Sequence, residues 1–318
     1  MSDMHKTLLA FIALATVAFA EAQKNILIIY GKSSHANYCH NNKEVGLMLE
    51  KKLAEGSNEG KFKITSVFNY PEDLSLVENA DLIIISSDGG KGHALANAAD
   101  PTKNTTHLDG VLKKNKTGLI VIHWATDAPS TGFGKLHPEN STMMINWIGA
   151  CYYWDKKSPK PNSSWTWKYP VFDLKVNQSH PVSNGVPANF KLQDEYYFNF
   201  FTEGADSRTP KTDRVTFLHT AMAPNHAKDQ KNPETFREQA VYWAFEREDT
   251  GRSIAMTSAH MYHSWANPHF FKTFANSVLW TLNMEVPESG SDLVPPTFEE
   301  LVSVTSQAQI HKKALHFK

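Results

Sequence analysis

The chain has 318 residues, of which 41% are apolar, enough for a sizeable core in one large domain or two small ones. Lys and Arg number 32 against 33 Asp and Glu, so the net charge of -1 gives no long-range attraction for nucleic acid or anionic lipid. A mean hydropathy of -0.42 excludes a polytopic membrane protein, and 2 Cys exclude a disulfide scaffold or a cysteine-based zinc site, leaving His, carboxylates and aromatics to carry any chemistry.

The amino terminus reads as an address. Lys6 precedes an unbroken apolar run, Thr7–Ala20, which ends in the small-x-small pattern Ala18-Phe19-Ala20 of a signal-peptidase site. The run is shorter than the roughly 20 residues a spanning helix needs. Residues 1–20 are therefore expected to be a cleaved export signal. The mature chain would begin near Glu21, be periplasmic or secreted, and have no membrane insertion; an N-terminal anchor is the alternative. Cys39 and Cys151 would then meet an oxidising compartment, and whether they pair is left open.

From Lys24 onward, short apolar strands alternate with helical patterns. Strands are predicted at Asn25–Tyr30, Lys61–Phe68, Ala80–Ile85 and Gly118–Ile122, with helices at Lys43–Leu53 and around Leu108–Leu112. Strands apolar on both faces and separated by helices predict an α/β fold: a parallel sheet with helices on both faces. After about residue 150 the chain becomes rich in Trp, Tyr, Pro and Asn. Shorter strands are predicted there at Phe172–Val176, Glu195–Phe200, Val215–His219, Ala240–Phe245 and Ser253–Thr257. A long amphipathic helix follows at His269–Leu282. The α/β domain is placed at residues 24–285, with an elaborated second half. Residues 286–318 form an extension with a helical turn near Phe298–Val302.

In an open parallel sheet, ligands bind beyond the carboxyl ends of the strands. Those ends gather polar residues here. The first strand leads to His35 and His40, the third to Asp88, the fourth to His123 and Trp124, and the last to His260 and Tyr262. Asp194-Glu195 precedes a predicted aromatic strand, on which only one of the two carboxylates would enter a site. No Gly-Lys-Ser/Thr loop, dinucleotide fingerprint or Gly-x-Ser-x-Gly elbow is present, so nucleotide binding and a serine triad are not expected.

Several separated segments together resemble the ThuA-like, or trehalose-utilisation, family. They are Ile26–His40 (ILIIYGKSSHANYCH), Ala80–His93 (ADLIIISSDGGKGH), Gly118–Trp124 (GLIVIHW), His180-Pro181-Val182 with Gly185, Asp194–Tyr197, Ala240–Glu248, Thr257–Pro268 (TSAHMYHSWANP) and Leu279-Trp280-Thr281. The resemblance implies a flavodoxin-like, class I glutamine amidotransferase-like fold and a role in carbohydrate metabolism. Amidotransferases carry a nucleophilic Cys at a strand-to-helix elbow. The comparable strand here ends in His123, so glutamine hydrolysis is not expected.

The reading that follows is an exported enzyme acting on carbohydrates: a lyase, hydrolase or isomerase of oxidised (keto) sugars or disaccharides. His123, Glu195 and His260 are the expected catalytic groups, and His35, Asp88, Trp124, Tyr197, Tyr262 and Trp265 the expected substrate contacts. His40, His123 and His260 are the expected ligands of a divalent metal such as zinc. The alternative is a non-catalytic carbohydrate-binding protein on a retired amidotransferase fold. Nothing in the sequence specifies the oligomeric state.

Overall fold

Three segments of the amino-terminal half, Asn25–Tyr30, Ala80–Ile85 and Gly118–Ile122, are apolar on both faces, so each must be covered on both sides. The computed structural model, which describes residues 22–35, 38–133, 137–152, 162–166, 169–200 and 213–304, shows how this is done. The expected export signal, residues 1–20, and the last residues of the extension lie outside the described residues.

In chain order the elements are β1 (Lys24–Tyr30), α1 (Asn42–Leu53), β2 (Phe62–Phe68), α2 (Ser75–Glu78), β3 (Leu82–Ser86), α3 (Lys103–Asn115), β4 (Gly118–Ile122), α4 (Pro138–Ile148), β5 (Ser164–Trp165), β6 (Val171–Val176), β7 (Asn189–Gln193), β8 (Tyr197–Phe198), β9 (Val215–Ala223), β10 (Arg237–Glu246), β11 (Arg252–Met256), α5 (Pro268–Thr281) and α6 (Phe298–Val304). A nine-stranded sheet runs in the order β2-β1-β3-β4-β11-β10-β9-β6-β7, and β5 and β8 form a separate pair. Strands β2, β1, β3, β4 and β11 are parallel, whereas β10, β9, β6 and β7 join antiparallel. The order 2-1-3-4 is that of a flavodoxin-like doubly wound sheet. The sheet is thus mixed: the predicted parallel half is extended by an antiparallel half.

Alternate residues of each parallel strand enter different cores. Ile26, Ile28, Leu82, Ile84, Ile120, Ile122, Ile254 and Met256 pack with α1 and α5 on one face. Leu27, Ile29, Ile83, Ile85, Leu119, Val121 and Ala255 pack with α3 and α4 on the other. Each such side chain, once buried, contributes about 1.5–3 kcal/mol relative to exposure. Local signals bound the helices. Asn267 caps α5 by accepting from the amides of His269 and Phe270 at 3.0 and 3.1 Å, with Pro268 in the first turn. Gly149 ends α4 at φ 76°, where an L side chain would be strained.

The second half departs from expectation in three places. Helix α4 and strands β5 and β7 are not among the predicted elements. The predicted strand Glu195–Phe200 shrinks to the two residues of β8, so Asp194 and Glu195 lie in the connection between β7 and β8. The segment after α5 is more than a surface extension, because Val286, Leu293 and Leu301 are buried in the core against α1 and α5. Among the described residues no helix is long and apolar enough to cross a membrane, and both Cys39 and Cys151 are buried free thiols.

Candidate functional site

The chain leaves β1 toward β2 on one side and returns to β3 on the other, opening a crevice between the two strand ends. His40, from the loop after β1, meets Asp88, from the loop after β3, at this switch point: Nδ1 and Oδ1 are 2.6 Å apart. Asn42 also donates to Asp88, at 3.2 Å. Burial works to raise the Asp88 pKa, but hydrogen bonds from His40, Ser34 and Asn42 outweigh it and hold the carboxyl below its ordinary value. An ionised carboxylate only accepts, so the proton sits on His40 Nδ1 and Nε2 is left to bind.

His123 follows directly on β4. Its φ of 53° turns the strand into a short helical turn, His123–Thr126, and so places the imidazole at a strand-to-helix elbow. Its Nδ1–H donates to the Thr257 carbonyl at 2.7 Å, which fixes the tautomer and points the Nε2 lone pair inward. Three polar atoms crowd that lone pair. Tyr197 donates its O–H to it at 2.9 Å, His260 Nδ1 lies 3.1 Å away and Glu195 Oε1 4.0 Å away. His260 Nδ1 is in turn 3.3 Å from Glu195 Oε1, and His260 Nε2 is buried without a hydrogen-bond partner.

The loops carrying these groups are tied together. The His40 amide donates to the His260 carbonyl at 3.0 Å, and Cys39 bridges to Met261. Asp194 is wholly buried and accepts from the amides of Glu195, Ala259 and Met261 at 2.8, 2.8 and 3.0 Å. One carboxylate of the Asp194-Glu195 pair thus clamps backbone while the other faces the imidazoles. Left-handed backbone gathers here as well, at His35, His40, His123, Tyr169, Asn199 and Ala259. Non-glycine residues held at such angles cost about 1–3 kcal/mol where they are strained, and they concentrate at functional sites.

Burial sets the electrostatics. It lowers His123 well below the ordinary imidazole value and His260 to about 4, so both rings are neutral at pH 7. It also pushes Glu195 up to about 7, against the pull of His40 and His35. Four side chains, His40, His123, Glu195 and His260, offer ligand atoms that all lie within 4.8 Å of one another. Tetrahedral ligands about 2.1 Å from an ion stand about 3.4 Å apart. The 3.1, 3.3 and 4.0 Å separations bracket that spacing. Imidazoles of which His40 and His123 are anchored through Nδ1, a carboxyl beside them and a crowded lone pair at the centre fit a divalent cation. This buried group could hold a metal.

Three members of the cluster, His40, Glu195 and His260, line a cavity of about 610 Å3, and His123 lies behind them. The cavity is also lined by His35, Trp124, Asp127, Ala128, Phe133, His137, Ser141, Tyr152, Trp165, Tyr169 and Tyr197. Trp124 stacks on Phe133 with centroids 5.5 Å apart, and Tyr169 lies against His260 at 5.0 Å. Exposed edges of Phe133 and Trp165 widen the mouth.

The structure brings His35, His40, Trp124, Glu195, Tyr197 and His260 to this cavity, and His123 to the cluster behind its lining. Three expected substrate contacts are corrected. Asp88 holds His40 from behind and does not line the cavity. Tyr262 and Trp265 follow the last strand end, but the turn Tyr262–Ala266 folds them into the core, where Trp265 packs on Phe270 and Phe274. The sequence reading misses Asp127, Phe133, Tyr152, Trp165 and Tyr169. Asp127 belongs to the same strand-end loop as His123 and lies within reach of that rule. The aromatics sit in irregular segments with no periodicity to mark them.

No family model matches the chain, and no curated protein does. Solved structures do. A ThuA-like protein from Bacteroides uniformis is 14% identical, with a TM-score of 0.58 over 85% of this chain and 96% of that one. A ThuA-like protein from Parabacteroides merdae is 15% identical, with a TM-score of 0.57 over 88% and 99%. A GMP synthase subunit from Thermoplasma acidophilum is 9% identical, with a TM-score of 0.39 over 81% and 96%. The fold of this chain is that of the two ThuA-like proteins.

Proposed function

We propose that the chain is an exported, ThuA-like carbohydrate-active enzyme that acts on an oxidised (keto) sugar or disaccharide by acid–base chemistry beside a divalent ion such as zinc. The observation that carries this reading is a cluster of three imidazoles and one carboxyl, of which His40, Glu195 and His260 line a cavity that also presents aromatic side chains and His123 stands behind them. His40, His123 and His260 would hold the ion. Bound there, it would supply Lewis acidity toward a sugar carbonyl.

The protein's own groups do the rest. Glu195, whose burial raises it to about 7, takes a proton from the carbon next to that carbonyl and can return it near neutral pH. Tyr197 stacks on the His123 ring with centroids 4.5 Å apart and so fixes its plane. Trp124, Phe133 and Trp165 offer apolar faces to a sugar ring, and the cavity volume suits a disaccharide. Export is part of the proposal and rests on Thr7–Ala20.

The test is turnover of keto-disaccharides by zinc-loaded mature protein. His123→Ala and His260→Ala should abolish turnover while circular dichroism stays unchanged, and Glu195→Gln should keep the metal and lose the activity. Full activity in both His variants overturns the reading. Saturable sugar binding without product would favour the non-catalytic alternative.

A further inference from the structure

The proposed chemistry leaves one half-buried carboxyl in the cavity unused. Asp127 follows the His123–Thr126 turn, and its amide donates to the Trp124 carbonyl at 2.9 Å. Its side chain is held by two N–H donors, the Trp124 indole and the Ala128 amide. Burial pushes it up to about 7. Room for it is made at Gly89. A Cβ there would collide with Asp127 Cβ and stand 2.6 Å from Oδ2 and 2.7 Å from Trp124 Nε1. A desolvated carboxyl held by neutral donors costs stability, and one on a cavity wall is suited to chemistry.

Two carboxyls therefore line this cavity from different loops. Glu195 stands among the imidazoles, while Asp127 stands among Trp124 and Tyr152. Splitting acid and base roles between two such groups is how one site can give and take protons in the same step.

We infer that Asp127 is the general acid that protonates the leaving oxygen, so that the reaction breaks a C–O bond. The inference rests on the proposed function: a leaving group excludes isomerisation, and proton removal by Glu195 from the carbon next to the carbonyl makes the C–O cleavage an elimination rather than a direct hydrolysis. In that step Glu195 takes the proton from the carbon next to the carbonyl. The C–H electron pair becomes a C=C bond, the C–O bond to the second sugar breaks with its pair going to oxygen, and Asp127 gives that oxygen its proton. Solvent at the cavity mouth returns a proton to Asp127 and takes one from Glu195.

The experiment compares two keto-glucosides, one with p-nitrophenol as leaving group and one with a sugar alcohol. A phenol leaves without help, so Asp127→Asn should retain turnover of the aryl substrate within about tenfold. On the sugar-alcohol substrate it should lose about 10²–10⁴-fold, the usual contribution of a general acid. Zinc content should match the wild type. If Asp127→Asn does not fold, Asp127→Ser carries the same comparison. Equal loss on both substrates, or no loss on either, overturns the acid role while the proposed function stands. A zinc-loaded wild type that turns over neither substrate overturns the proposed function and this inference with it.

Discussion

Asp194 holds the backbone on both sides of His260: its carboxylate accepts from the Ala259 amide at 2.8 Å and the Met261 amide at 3.0 Å. The left-handed φ of 75° at Ala259 is sustained by this grip, and it is what turns His260 toward His123. Asp194→Asn would point an N–H₂ at amide donors. It is expected to cost about 2–4 kcal/mol in urea unfolding and to weaken zinc binding, although Asp194 is not a proposed ligand. A variant with wild-type stability and zinc affinity would show that the loop needs no such anchor.

Asp88 stands behind His40 as Asp194 stands behind His260. Replacing it with Asn leaves Asn42 and His40 in place but removes the charge that fixes the proton on His40 Nδ1. A supporting partner of this kind is worth about 10–100-fold in metal affinity. Competition with a chelating dye should read a loss of that size in Asp88→Asn, and unchanged affinity would place His40 outside the ligand set.

Two tryptophans, one at the cavity mouth and one in the core, should separate cleanly. Trp165 is 46% exposed at the mouth, so Trp165→Ala should leave the melting temperature nearly unchanged and weaken sugar binding about 3–10-fold. Trp265 is 0% exposed, and Trp265→Ala should cost about 3–5 kcal/mol of stability. Calorimetric melting and sugar titration on the two variants check this, and a reversal of the two effects contradicts the placement of the cavity.

Acid should destabilise the protein through histidines buried without charge. His219, 1% exposed, is lowered by burial to about 3, while in the unfolded chain it titrates near 6.5. The folded pKa is the lower one, so the stabilisation is fully present above pH 6.5 and is lost as pH falls toward 3. Between pH 6.5 and 4.5 the wild type should lose about 2–3 kcal/mol that His219→Leu does not lose. Thr273, which pairs with His219, still donates to the His269 carbonyl at 2.9 Å. Parallel pH dependences in urea unfolding would mean that His219 is charged in the native state.

What could be read from the sequence followed from periodicity. Strands β1, β3, β4 and β11 are apolar on both faces because helices cover both, and that pattern locates the strand ends beyond which His40, His123 and His260 follow. It fails where local pattern does not report tertiary contact. Asp194-Glu195 looks like a strand start because aromatics follow, yet the pair is shaped by amides 65 and 67 residues away. Tyr262 and Trp265 adjoin a strand end, yet a single 3-10 turn buries them. Trp165 and Tyr169 reach the cavity from irregular chain, which carries no period to read.

The central claim is that imidazoles from three loops share one cation. It is tested most directly by equilibrium dialysis of the mature protein against zinc, followed by elemental analysis of the protein fraction. The wild type should retain one ion per chain, and the His123→Ala/His260→Ala double variant, still folded by circular dichroism, should retain none. Equal zinc in both proteins, or none in the wild type, would contradict the account.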